Sequence, residues 1–276
     1  MKNYIKLVNF EVNRIIKLYI GLLIITTISQ FIGFFWKTTT YLSQAENMIK
    51  HGGMSQTTFI EQYGPFNMFE IIHTLWFVGP IALGVAAVMI YIFLIWYRDW
   101  LGKNTFIYRL LMLPTSRVNV LLAKATTIML GVFGLVAFQY ILLIVQSAAL
   151  KWRIPKAFRI DLTIPEIINN QEYLMIIMPK TFTQFVLNYG AGITFLFICF
   201  TVILFERSFR IKGAIAGILY ALISSSLFAL PFLILIWLEK DVYPSEAILI
   251  LVGIGAVVLS SSVGLNSYLI KRKVTV

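Results

Sequence analysis

Six apolar runs alternate with polar connections along this chain, at about residues 18–36, 75–97, 125–150, 184–205, 214–238 and 247–270. Each is close to the ~20 residues that a helix needs to cross the ~30 Å hydrocarbon core of a bilayer. None of the six contains Asp, Glu, Lys, Arg or His. The pattern predicts an all-α polytopic membrane protein with six transmembrane helices. Little chain is left over, so residues 1–276 read as a single transmembrane domain.

Ahead of the first run, Lys2, Lys6, Asn9, Asn13 and Lys17 recur at three- and four-residue spacing, with Ile5, Val8, Val12, Ile15, Ile16 and Tyr19 opposite. An amphipathic helix with one cationic face suits the membrane interface, so residues 1–17 are expected as an interfacial helix. The plainer alternative makes them the first turns of span one. No small-residue cleavage site follows a short apolar core, so the first run is expected to be a retained span. Three outer loops are expected, at 37–74, 151–180 and 239–246. In the first, Gly52-Gly53 and Gly64-Pro65 punctuate short helices. His51 and His73 lie there without a metal-ligand pattern. In the second, Thr163-Ile164-Pro165-Glu166 has the form of a helix start.

The connection after span two, residues 98–124, is the long basic one. It carries Arg98, Lys103, Arg109, Arg117 and Lys124 against a single acid, Asp99. Within it, Thr105 to Leu113 reads as a short helix, with Phe106, Ile107, Leu110, Leu111 and Leu113 around Tyr108 and Arg109. Pro114 stops that helix, and Thr115 or Ser116 is placed to cap the next. Two readings fit: a re-entry loop charged for topology, or a stiff lever against which another protein could push.

Composition and charge agree with the membrane class. The chain is 59% hydrophobic and 13% charged, with mean hydropathy +0.84, where soluble domains are about a quarter charged. The net charge of +11 is explained by orientation and anionic lipid headgroups, and no nucleic-acid partner is expected. Lys and Arg cluster on one side of the six-span scheme. Four precede span one, five lie in the 98–124 loop, three follow span four and three end the chain, leaving eight of the 23 outside. Both termini are therefore expected in the cytoplasm, and a multi-pass place in a bacterial cytoplasmic membrane follows. The basic outer loop 151–180 is the exception. One cysteine, Cys199, excludes an intrachain disulfide.

The spans offer little chemistry. Ion-coupled transporters usually carry an ionisable group inside the bilayer, and these spans carry none. The chain has no GxxxxGK[ST] phosphate loop, no HExxH and no Ser-His-Asp set. An enzyme is not expected, and no metal or cofactor is expected on this chain. Gln139 and Gln146, seven residues apart, share a face and read as helix contacts or pathway residues. Ser224, Ser225 and Pro231 interrupt span five, with Pro231 expected to kink it, and Gly213 and Gly217 permit close helix approach. Such a pathway needs energy from elsewhere, or is passive.

In the 98–124 loop, Asp99, Gly102, Lys103 and Thr105, then Leu110-Leu111-Met112-Leu113-Pro114-Thr115-Ser116-Arg117, then Ala123-Lys124, resemble the permease subunits of ABC-2 type ATP-binding-cassette transporters. The plan is similar too: an N-terminal amphipathic helix containing NFEVNRIIK (Asn9 to Lys17), six spans and a proline in the fifth. The resemblance implies that the loop holds a coupling helix docking on a separate cytoplasmic ATPase subunit, which would bind ATP and Mg. It implies polar contacts from Asp99, Lys103, Arg109 and Arg117, packing by Phe106, Tyr108 and Leu110, and Thr105, Pro114 and Ser116 within the same coupling segment. Two permeases, most simply a homodimer, would pair with two ATPases, and the outer ends of spans five and six would gate the exit. Within the family the chain is most similar to Gram-positive peptide exporters such as those for phenol-soluble modulins. Two other classes stay open: a carrier or channel without an ATPase, and a membrane sensor or immunity protein whose outer loops bind a ligand.

Overall fold

The computed structural model describes residues 2–101, 106–112, 115–238 and 244–274. The described elements are helical, joined by turns and one isolated bridge between Phe66 and Arg159. They are α1 (Lys2–Lys50), α2 (Gln56–Tyr63), α3 (Phe69–Ile72), α4 (Leu75–Leu101), α5 (Phe106–Leu111), α6 (Arg117–Arg153), a 3₁₀ turn (Lys156–Phe158), α7 (Ile164–Asn169), α8 (Glu172–Ile177), α9 (Phe182–Leu238) and α10 (Pro244–Arg272). Five of them, α1, α4, α6, α9 and α10, are long and apolar enough to cross a membrane.

The helices overrun the apolar runs that announce them. Where an interfacial helix is expected to end at residue 17, α1 continues unbroken, and it runs on to Lys50 through the start of the expected outer loop. The plainer alternative, that residues 1–17 are the first turns of span one, is the one the backbone follows. Pro80 lies inside α4. The bend in α9 is at Arg210 (φ 55, ψ −130). A Cβ on Gly217 would come within 3.0 Å of Val202 Cα, whereas fifteen residues of straight helix span roughly 22 Å. The chain therefore doubles back at Arg210, and the segments on either side of the bend pack together around Val202 and Gly217. A side chain at Gly217 would crowd the facing Val202 backbone, tighter than ordinary van der Waals contact. Pro231 falls within the helical backbone of the second arm, and its side chain lies outside the described residues, as does the outer turn at 239–243.

Two compact units divide the chain. One comprises Met1–Arg14, Val88–Leu130 and Thr181–Val276, the other Ile15–Ala87 and Gly131–Lys180. The second unit contains a folded cap built from the segments expected as outer loops. Ser55 caps α2 by accepting from the Thr58 N–H at 3.1 Å, and Gly64 ends it with φ 77, a conformation suited to glycine. Thr163 and Glu166 form a reciprocal capping box at the start of α7. Phe66, Met68, Ile71, Ile72, Ile154, Ile167 and Leu174 bury together with Phe34, Phe77, Leu143 and Leu150. Arg159 accounts for part of this loop's unexpected positive charge. It donates to the carbonyls of Lys151 and Ile154 at the end of α6 and pairs with Asp161 at 2.8 Å, satisfying carbonyls that a helix end leaves without partners.

Candidate functional site

The roots of the 98–124 connection meet in a buried ionic cluster within the first unit. Lys124, on α6, is fully buried. Its ammonium donates to Glu11 Oε1 at 2.6 Å, to the Ile95 carbonyl at 2.8 Å and to Asp99. Asp99, equally buried near the end of α4, also accepts from Arg14 at 2.7 Å. Glu11, 2% exposed on α1, accepts from Arg98 at 3.1 Å. Two acids and three bases thus interlock three helices. The Lys124 ammonium stands 5.2 Å from the centroid of the Trp96 ring, a further contact for a desolvated cation. Isolated burial of any one charge would cost several kcal/mol. Here Asp99 has two basic partners, Glu11 has three, and the lysine has three acceptors.

The cluster lies outside the six apolar runs and inside the longer helices that the backbone forms. Asp99, expected to face a partner, has no accessible surface. Arg117, expected in the same role, donates instead to the carbonyls of Ile270 and Val274 at 3.3 and 3.1 Å, closing the end of α10. Tyr97 donates to Glu206, and the Arg207 guanidinium lies 4.8 Å from the Tyr97 ring, fastening α4 to the first arm of α9.

From this bracket the connection carries α5 as a short amphipathic turn. Ile107, Leu110 and Leu111 are buried, while Arg109 is exposed and Met112 is 71% exposed. Leu110, expected to pack on a partner, packs inside this chain. Ser116 is exposed just before α6, and its carbonyl accepts from Asn119 at 2.8 Å. Lys103, Thr105 and Pro114 lie outside the described residues, as do the side chains of Phe106 and Tyr108.

In the second unit Gln139 and Gln146 share a buried amide network with Gln30 of α1. Gln30 Nε2 donates to Gln139 Oε1 at 2.9 Å and Gln146 Nε2 to Gln30 Oε1 at 3.1 Å. Gln30 also reaches the Phe77 carbonyl of α4 at 3.4 Å. Ser224 is buried and Ser225 exposed.

Sequence reasoning passed over Glu11, Arg14 and Gln30. A signal was present for the first, because Glu11 is the single acid in a basic N-terminal stretch, as Asp99 is in the loop. Fold and site together define an all-α protein with five helices fit to cross a membrane and an internally braced basic connection. Comparison with protein-family models, curated proteins and solved structures yielded no match.

Proposed function

We propose that the chain is the membrane-spanning permease subunit of an ATP-driven exporter of the ABC-2 type. It crosses the membrane six times, α9 supplying two crossings, with both termini in the cytoplasm. A separate cytoplasmic ATPase binds ATP and Mg and pushes on α5. Paired permeases, most simply two copies of this chain, then alternate between inward- and outward-facing states. The cargo class is amphipathic or hydrophobic peptide, suited to spans without ionisable groups.

The observation that carries this reading is the mounting of α5. Its apolar face is buried in its own chain and Arg109 and Met112 point outward. Both roots of its connection end in a buried ionic cluster, so force applied at α5 would reach α1, α4 and α6 as rigid elements. An ordinary connecting loop needs no such bracing.

The test is gentle detergent isolation of the tagged chain from native membranes at natural expression, with Arg109→Ala/Met112→Ala in parallel. The expected result is a stoichiometric ATPase partner that the double variant loses by about ten-fold or more while still inserting. Recovery of the chain alone in more than one detergent would sink the reading. The folded cap of the second unit then favours a sensor or immunity protein, since a capped, packed outer segment suits ligand capture.

A further inference from the structure

The bend of α9 and the end of α10 meet in the first unit and concentrate positive charge. Arg210 occupies the bend, and both it and Lys212 are exposed. Lys273 Nζ stands 5.9 Å from the centroid of the Phe209 ring. That contact brings the basic end of α10 beside the bend, with Lys271, Arg272 and Lys273 all exposed. Across residues 206–215 and 266–274 the single acid is Glu206. Its carboxylate accepts from Tyr97 and lies 3.9 Å from Arg207. Lys273 therefore stands at the residue that precedes Arg210, and the single carboxylate of these two segments is already engaged.

The bend also carries exposed apolar side chains: Phe209 is 44%, Ile215 56% and Ile211 80% exposed. An acidic protein would complement the charge and leave those side chains uncovered. A molecule with an anion at one end and hydrocarbon at the other complements both. We propose that the bend of α9 and the end of α10 form a binding site for an anionic phospholipid. Arg210, Lys212 and Lys273 hold the headgroup phosphate, and Phe209, Ile211 and Ile215 lie along the acyl chains. Guanidinium suits phosphate oxygens through paired N–H donors, and basic residues at the ends of membrane helices are known headgroup ligands. The inference requires insertion in a bilayer and is independent of any ATPase partner, so it stands or falls separately from the exporter reading.

The experiment titrates the purified full chain, in neutral detergent, with phosphatidylglycerol, phosphatidylcholine or soluble glycerophosphate, reading unfolding temperature and lipid retained after washing. Phosphatidylglycerol alone is expected to stabilise the chain and be retained. Arg210→Gln/Lys212→Gln/Lys273→Gln should weaken that response by at least about ten-fold, whereas Lys151→Gln/Lys156→Gln, from an exposed basic stretch elsewhere, should leave it unchanged. Equal responses to the two lipids, or an equal loss in the control variant, overturn the proposal. Stabilisation by glycerophosphate as strong as by the lipid also overturns it, as a free-phosphate site. So does loss of an acidic protein partner in the triple variant with the lipid response intact. Should the triple variant fail to insert, the wild-type chain decides. Its preference for phosphatidylglycerol must fall as salt is raised, and a salt-independent preference would refute the electrostatic assignment.

Discussion

Replacing Lys124 by Met tests whether the ionic cluster braces the connection that carries α5. Methionine keeps much of the aliphatic stem and removes the ammonium, with its contacts to Glu11 at 2.6 Å, Ile95 at 2.8 Å and Asp99. Breaking one partner out of a buried ion pair costs 3–5 kcal/mol, because the remaining charge stays desolvated. Here both acids keep a base: Asp99 retains Arg14 at 2.7 Å and Glu11 retains Arg98 at 3.1 Å. The expected loss therefore falls at the low end, about 3 kcal/mol. Because Lys124 and Asp99 are both fully buried, solvent screening does not reduce the figure as it would at a surface. The assay is reversible unfolding in mild detergent micelles, followed by tryptophan fluorescence. Trp96, one of the chain's six tryptophans, is buried against Lys124 and contributes to that signal. Combining Lys124→Met with Asp99→Asn closes a double-mutant cycle, for which coupling between contacting residues runs about 0.5–3 kcal/mol, and a value toward the top of that range is expected. A loss under about 1 kcal/mol, the scale of an exposed pair, would refute the bracing argument. Strict additivity in the cycle would refute it equally.

Three further expectations follow from the same geometry. Arg117→Ala should loosen the end of α10 by about 1 kcal/mol, seen as faster hydrogen exchange over residues 266–274; unchanged exchange there would return Arg117 to a docking role. Gln30→Leu should destabilise the second unit by about 1–2 kcal/mol, since it strips both Gln139 and Gln146 of a partner, and thermal unfolding of Gln139→Leu should show a smaller effect. Asp161 is held below its ordinary value first by the hydrogen bond from Arg159, against a smaller opposing effect of burial. A carboxylate depressed in the folded state stabilises above its unfolded value of about 3.9 and loses that stabilisation as pH falls through the lower folded value. Hydrogen-exchange protection over residues 155–163, corrected for the intrinsic pH dependence of amide exchange, should therefore fall as pH drops from about 3.9 through the folded value in the wild type, while Asp161→Asn should show no such step. An identical acid response in the two would discount the ion pair.

Hydropathy along the chain was enough to establish the membrane-compatible, all-α class, because the requirement for ~20 apolar residues per crossing is local and additive. Local chemistry also placed the start of α7 at Thr163, since a capping box closes within four residues. Gln139 and Gln146 could be seen to share a face from their spacing alone. What they bond to could not, because Gln30 is more than a hundred residues away. The same limit hid the ionic cluster. Asp99 and Lys124 sit just beyond apolar runs and Glu11 lies in the expected interfacial helix, where a charge reads as a solvated marker of topology. Only packing shows that the helices overrun those boundaries and carry the charges into their interior. Arg117 and Arg159 make the point from the other direction, since a basic residue in a loop looks the same whether it faces a partner, a headgroup or the carbonyls at the end of another helix of its own chain. Sequence determined which segments must leave water, a property of each stretch by itself. Tertiary structure decided which polar groups left water with them, because desolvating a charge is tolerable only where distant residues supply its partners.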